Sequence, residues 1–347
     1  SSDGTISLAG FDITEDGRKM AYSLSDGGSD WVTIKVRDVD TGEDLPDEIK
    51  WVKFSGPAWN KQGTGFYYSR YDEPKGNALA AENKFQKVYF HKVGQPQSQD
   101  QLIYERSDKP DWGFGAGVSD DGRYVIISIW QGTERKNRIY YIDLKTHSER
   151  VIPLLDDFDA QYSFVDNVDN VWWFFTDKDA PRGRLVAIDI RKPESANWKE
   201  LIPQSEDVLQ GVSAVGDKFF ATYLKDAHSA IKVFDLTGKF ERDVELPGLG
   251  SAGGFGGKRS DTETFYSFTS FSFPGVIYRY DVPTGKSEVW RQPKVDFDPA
   301  AYESKQIFYN SKDGTRVPMF IVHKKGITLD GSNPTYLYGY GGFEVSL

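Results

Sequence analysis

The strongest chemical signal in the sequence is TYLYGYGGF, Thr335 to Phe343. Glycines at 339, 341 and 342 let a backbone turn tightly and approach a ligand with no Cβ in the way. Between them, Tyr340 carries a phenol that can donate a hydrogen bond. A donor held at the tip of a buried strand suits an oxyanion that exists only in the transition state of acyl transfer. Phe343 would add an apolar wall for a substrate side chain. A plain exit from strand to loop is the other reading of the same residues.

Other chemistry-bearing residues give weaker patterns. The four histidines, His91, His147, His228 and His323, have no metal-ligand spacing and read as hydrogen-bonded surface or sheet-edge residues. The acidic segment LLDDFDA (Leu154 to Ala160) lacks the spaced carboxylates of a calcium loop and reads as solvated. No Gly-x-Ser-x-Gly elbow and no phosphate-cradling Gly-x-x-x-x-Gly-Lys-Ser occurs. With no cysteine, thiol nucleophiles, thiolate metal sites and disulfides are excluded. Neither a metal nor a cofactor is expected.

Whatever chemistry Tyr340 performs, a scaffold must position it. The 347 residues contain 34 Gly, 16 Pro and only 2 Met, and aromatics make up 15%. Turns are therefore plentiful, long helices scarce, and the short apolar runs rich in β-branched and aromatic residues, which predicts a mainly β chain. A net charge of −10 argues against nucleic acid, whose phosphates call for a clustered cationic surplus. No run approaches the roughly 18 to 20 apolar residues of a membrane helix, and SSDGTISLAG lacks the features of a signal peptide. The missing initiator Met is read as the mark of a fragment.

A repeat organises most of the chain. Turns at Asp16-Gly17, Gln62-Gly63, Asp121-Gly122, Asp169-Asn170, Gly216-Asp217 and Ser260-Asp261 lie 46, 59, 48, 47 and 44 residues apart. After them come the strands KMAYSL, GFYYSR, RYVIISI, VWWFFT, KFFATYL and TFYSFT. Partner strands such as RIYYIDLKT, AIKVFDLTG and VIYRYDVPTG mostly end in Asp and a turn. The one long spacing holds the insertion Glu73 to Gln86, expected to be a short helix or disordered. Six units of about 50 residues match the blade size of a β-propeller, whose interblade wedges take large aromatic side chains. Two unrelated β-sandwiches are the alternative. From about Ala301 the texture changes to a longer hairpin with a turn at Lys312 to Gly314, then PTYLYGYGGF, read as a buried strand.

These residues resemble a known family. Tyr309 to Phe343, YNSKDGTRVPMFIVHKKGITLDGSNPTYLYGYGGF, is similar to the entry into the hydrolase domain of the prolyl oligopeptidases, a serine peptidase family. GSDWVTIKVRDVD (28 to 40), SDDGRYVIISI (119 to 129) and TETFYSFTSFSFPGVIYRYDV (262 to 282) resemble its propeller. The resemblance implies a seven-bladed β-propeller, about six blades of it evident here, over 1 to 299, followed by the first strands of an α/β-hydrolase domain over 300 to 347. It implies an enzyme that hydrolyses short peptides on the carboxyl side of proline, with the propeller gating access. In that scheme Tyr340 is the side-chain oxyanion donor and Phe343 lines the proline pocket, while the Ser, Asp and His triad lies outside these residues. DFDPAAY, Asp296 to Tyr302, would be one of two crossings between the domains.

The expected partners are short proline-containing peptides and the rest of the hydrolase domain, with no nucleic acid and no membrane, in a monomer. The cytoplasm is the expected location and the periplasm the alternative. A non-catalytic propeller that binds peptides or proteins is the rival function.

Overall fold

In the computed structural model, residues 3–146 and 150–342 are described. Among them, twenty-four strands form six consecutive antiparallel meanders of four. The first comprises β1 (Ile6–Ile13), β2 (Lys19–Asp26), β3 (Trp31–Asp38) and β4 (Asp44–Lys53). The second comprises β5 (Ala58–Trp59), β6 (Gly65–Arg70), β7 (Lys87–Lys92) and β8 (Gln101–Tyr104). Next come β9 (Trp112–Val118), β10 (Tyr124–Gln131), β11 (Asn137–Asp143) and β12 (Ile152–Leu155). The fourth has β13 (Tyr162–Val168), β14 (Val171–Thr176), β15 (Arg184–Asp189) and β16 (Lys199–Ile202). The fifth has β17 (Val208–Val215), β18 (Lys218–Lys225), β19 (His228–Asp235) and β20 (Phe240–Asp243). The sixth has β21 (Ser251–Gly256), β22 (Glu263–Ser270), β23 (Phe273–Asp281) and β24 (Lys286–Arg291). A two-stranded hairpin, β25 (Tyr302–Asn310) with β26 (Arg316–Lys324), follows.

All six expected turns join the first and second strands of a meander, and the six apolar runs after them are the second strands. Local chemistry explains the turns. The Thr14 hydroxyl donates to Asp16 Oδ1 at 2.7 Å and accepts from the Lys19 amide at 3.0 Å. Ser119 repeats the pattern with Asp121 at 2.5 Å and Tyr124 at 2.9 Å. Each carboxylate also accepts the amide of the following Arg, at 3.1 and 2.9 Å. Gly17 and Gly122 take φ of 72° and 69°, the left-handed region where a Cβ is unwelcome.

Aspartate at the end of the third strand has an equally specific task. Asp38, Asp235 and Asp281 accept backbone amides of the exit turn, from Thr41, Thr237 and Thr284, each at 2.8 Å. Asp143 and Asp189 accept those of Lys145 and Arg191 at 3.0 Å. Side-chain bonds from Arg123, Arg191, Thr237 and Thr284 lead at Asp143, Asp189, Asp235 and Asp281, and the Thr41 amide leads at Asp38; with the other turn amides they hold all five carboxyls below their usual range, Asp189 at about 2.

Cores sit on the middle strands. Phe66, Tyr68, Val36 and Ile49 are fully buried in one cluster, and Val125, Ile127 and Ile129 of β10 anchor another. In the sixth meander Phe255, Tyr266 and Tyr278 stack in series at 4.7 and 5.1 Å. The chain divides into two compact units, 1–178 with 187–198, and 179–186 with 199–347.

The insertion at 73–86 contains one 3-10 turn, Ala78–Ala80, capped by Asn77. It is pinned rather than loose: the Trp31 indole donates to the Ala78 carbonyl at 2.9 Å, and buried Gln86 donates to the Lys53 carbonyl at 2.8 Å while accepting the Phe114 amide at 2.6 Å.

Candidate functional site

The segment leading to Tyr340 begins with β25 and β26, which pair in unbroken register from Tyr302↔Lys324 to Asn310↔Arg316. Their turn reuses the Ser-x-Asp-Gly device: Asp313 accepts from the Ser311 hydroxyl and, at 3.0 Å, from the Thr315 amide, with Gly314 at φ 83°. These bonds hold the Asp313 carboxyl down at about 2. Within the second unit the hairpin is tied to the turn after β18. Gln306 Nε2 donates to the Asp226 carbonyl at 2.5 Å, and the Phe320 ring lies 5.3 Å from that of Phe271.

Beyond Lys324 the chain is irregular. Asp330 accepts the Ser332 amide at 2.9 Å and Asn333 donates to the Thr328 carbonyl at 2.7 Å. Residues 333–342 form no strand, which corrects the expectation of a buried one. Tyr340 is 53% exposed and Tyr336 87%. The reason is that a buried strand must pair its backbone groups with neighbours, and β25 and β26 pair only with each other among the described residues. Gly339, Gly341 and Gly342 are outside the left-handed region, so they form open, unobstructed backbone rather than a tight turn. Tyr340 thus presents its phenol to solvent, able to donate to an incoming anion. Phe343 lies outside the described residues.

The histidines divide. His91 is fully buried, not at a surface or edge, with Nδ1 2.6 Å from Asp100 and Nε2 2.8 Å from Asp47. The mismatch arises because His91 stands in KVYFHKV between an apolar run and a lysine, where the strand's end is expected, while its partners come from other segments. His323 Nδ1 lies 2.8 Å from the Lys324 carbonyl and its Nε2 3.3 Å from Glu303. His228 opens β19, and His147 lies outside the described residues. In LLDDFDA, Asp156 accepts from Arg138 and Tyr140, and Asp159 from Lys178 and Tyr162, so these carboxylates serve the protein itself.

One feature of the first unit has almost no signature in the sequence. Trp51, Phe54 and Phe85 hold φ of 63°, 57° and 59°, a conformation that is a genuine outlier for bulky residues and concentrates where ligands bind. Phe54 and Phe85 are 51% and 46% exposed, with Lys53 Nζ 5.2 Å from the Phe54 ring centre. Phe85 borders a cleft of about 220 Å³ shared with Asp72, Lys87, Glu105 and Arg106. The one advance sign, at Phe85 alone, is the long repeat spacing that contains it.

A family model described as the prolyl oligopeptidase N-terminal beta-propeller domain matches residues 1–293. A prolyl endopeptidase of Elizabethkingia meningoseptica is 44% identical over 348 residues, covering all of this chain and 49% of the relative. One structure from a study of two prolyl endopeptidases and their inter-domain dynamics matches with a TM-score of 0.82 at 40% identity, over 99% of this chain and 49% of that one. Prolyl oligopeptidase B of Galerina marginata, bound to a 35-residue hydrolysis and macrocyclization substrate, matches with a TM-score of 0.89 at 28% identity, over 99% and 50%. The chain spans about half the length of the curated relatives it matches.

Proposed function

The chain belongs to the prolyl oligopeptidase family, of which it carries the N-terminal propeller, and from that premise we propose that it is half of a serine endopeptidase cleaving short peptides after proline. The observation that carries this reading is the family match across 1–293, continued without a break by the hairpin and the Tyr-Gly-Tyr-Gly-Gly segment. We place the border between propeller and hydrolase segment at 299/300, inside the short stretch separating β24 from β25, where Asp298 caps the one-turn helix Pro299–Ala301.

In this proposal the serine nucleophile belongs to the remainder of the hydrolase domain, attacks the carbonyl carbon of proline and forms an acyl-enzyme. Tyr340 donates its phenolic hydrogen to the oxygen that becomes negative, together with a backbone amide beside the nucleophile. Phe343 packs against the proline ring. The propeller limits entry to slender substrates, and domain separation admits them.

The test is Tyr340→Phe in the intact protein. Turnover of a proline-containing peptide should fall roughly 10²- to 10³-fold, the usual cost of one oxyanion donor, with the melting temperature unchanged. An unaltered rate removes Tyr340 from the mechanism. Phe343→Ala should instead weaken binding by about 1 to 3 kcal/mol of lost apolar contact, read as a raised KM. We further propose a monomeric, cytoplasmic enzyme, checked by sedimentation and by cell fractionation.

A further inference from the structure

The first and second meanders share one sheet, yet among the described residues their strands pair at a single position, Val52↔Arg70. The Tyr71 amide adds a bond to the Trp51 carbonyl at 3.0 Å, one apolar cluster joins Val36, Ile49 and Val52 to Phe66 and Tyr68, and polar side chains supply the rest of the seam. Gln97 and Lys50 exchange two amide bonds, Lys50 N–H to Gln97 Oε1 at 3.1 Å and Gln97 Nε2 to the Lys50 carbonyl at 2.9 Å. Beside these and the Gln86 and Trp31 bonds to the insertion lies the buried group around His91: Asp47 of β4 on one side, Asp100 just before β8 on the other.

A carboxylate can only accept, and both ring nitrogens of His91 lie within hydrogen-bond distance of carboxylate oxygens. With both aspartates ionised, both nitrogens must carry a hydrogen, so the geometry calls for an imidazolium. Asp100 also accepts from the Tyr68 hydroxyl at 2.6 Å, and Asp47 Oδ1 from the Gly94 amide at 2.6 Å. Asp47 Oδ2 is buried with no hydrogen-bond partner among the described residues, so the ring is the principal counter-charge for that group. The charged groups acting on the ring, among the described residues, are Asp100 beside β8 and Asp47 from β4; Tyr68 from β6 reaches it through Asp100, and Arg70 acts on Tyr68 in turn.

We propose that His91 is a proton-operated clamp on the seam between the first two meanders, closed as the imidazolium and loosened when the ring gives its proton to water. Loss of the proton leaves a lone pair facing a carboxylate oxygen at under 3 Å, and two buried carboxylates without a cation between them. Burial works against the charged ring, but bonds to Asp100 and Asp47 outweigh it and the pKa of His91 is raised. Since the folded value lies above the unfolded one of about 6.5, the stabilisation is complete below that pH. It disappears as pH rises through the folded value. The clamp belongs to the propeller alone and stands apart from the chemistry assigned to Tyr340.

Hydrogen exchange by mass spectrometry on the intact protein tests it directly. After correction for the intrinsic rate, protection of peptides covering β4 and β7 should drop as pH rises from about 6 to about 9, while β10 and β11 stay protected. Equal protection of β4 and β7 across that range overturns the clamp. In His91→Gln the same peptides should exchange faster at the acidic end and lose their pH response. If that variant does not fold, neutron diffraction of the wild type at neutral pH decides: deuterium on both ring nitrogens supports the clamp, and on one alone refutes it. Asp47→Asn, which removes one counter-charge, should move the loss of protection to lower pH, and an unmoved transition also counts against the proposal.

Discussion

Thr222-Tyr223-Leu224 and Thr335-Tyr336-Leu337 are the same tripeptide with opposite fates. Tyr223, in β18 between β17 and β19, is 2% exposed, and burial pushes its phenol up to about 12. Tyr336 is 87% exposed, in a stretch with no strand beside it. Intrinsic β preference is shared, so it cannot be what decides. Flanking strands decide, because they satisfy the backbone and cover both faces.

The largest effect is expected where the tripeptide is enclosed. Phe220, three residues before Tyr223 in β18, stacks on Phe255 at 5.4 Å and meets Tyr280 edge-on at 5.5 Å. Phe220→Ala should cost about 3 to 5 kcal/mol through lost transfer energy and a cavity, visible as a lowered midpoint in urea. A loss below about 1 kcal/mol would mean that the meander's core is not what holds it. Gln86→Ala should cost less, about 1 to 3 kcal/mol in all, since water can reach part of what is orphaned at Lys53 and Phe114. Limited proteolysis within 73–86 should accelerate in parallel, and an unchanged cleavage rate would show the insertion to be anchored elsewhere.

A smaller effect concerns acid. The five strand-end aspartates have depressed folded pKa values, so their stabilisation is present above the unfolded value near 3.9 and fades as pH falls through the folded ones. Asp235→Asn with Asp281→Asn should flatten the fall in melting temperature below about pH 4; an unchanged slope assigns that fall to other carboxyls. Smallest of all is Tyr336→Ala, which should shift the stability of the 347-residue chain by no more than about 0.5 kcal/mol, as exposed positions do. If the proposed hydrolase domain supplies neighbours for this segment, the same substitution in the intact protein should cost several times more.

The middle strands were legible in the sequence and the outer ones nearly invisible. Second strands such as GFYYSR and VWWFFT are buried almost throughout and read as continuous apolar runs. Outer strands such as KSEVWR, exposed at every position, and the four-residue FERD carry no such signature. Strand-end aspartates were visible because their turn chemistry is local. The His91 group was not, since Asp47, His91 and Asp100 are brought together by pairing that no short window contains. The strained backbone of Trp51, Phe54 and Phe85 was equally hidden, because nothing about an aromatic residue announces a left-handed φ. Tyr340 stood out by the glycines around it, but the strand expected to carry it was inferred from apolar content alone.

Each meander completes its hydrogen-bond ladder within its own stretch of chain, from β1 to β4 through to β21 to β24, apart from the one pair joining the first two. Chains dominated by such near-neighbour pairings have little loop-closure entropy to overcome, and amino-terminal segments can organise while the ribosome is still adding later ones. For this molecule the expected order of assembly is therefore the order of translation, sheet by sheet.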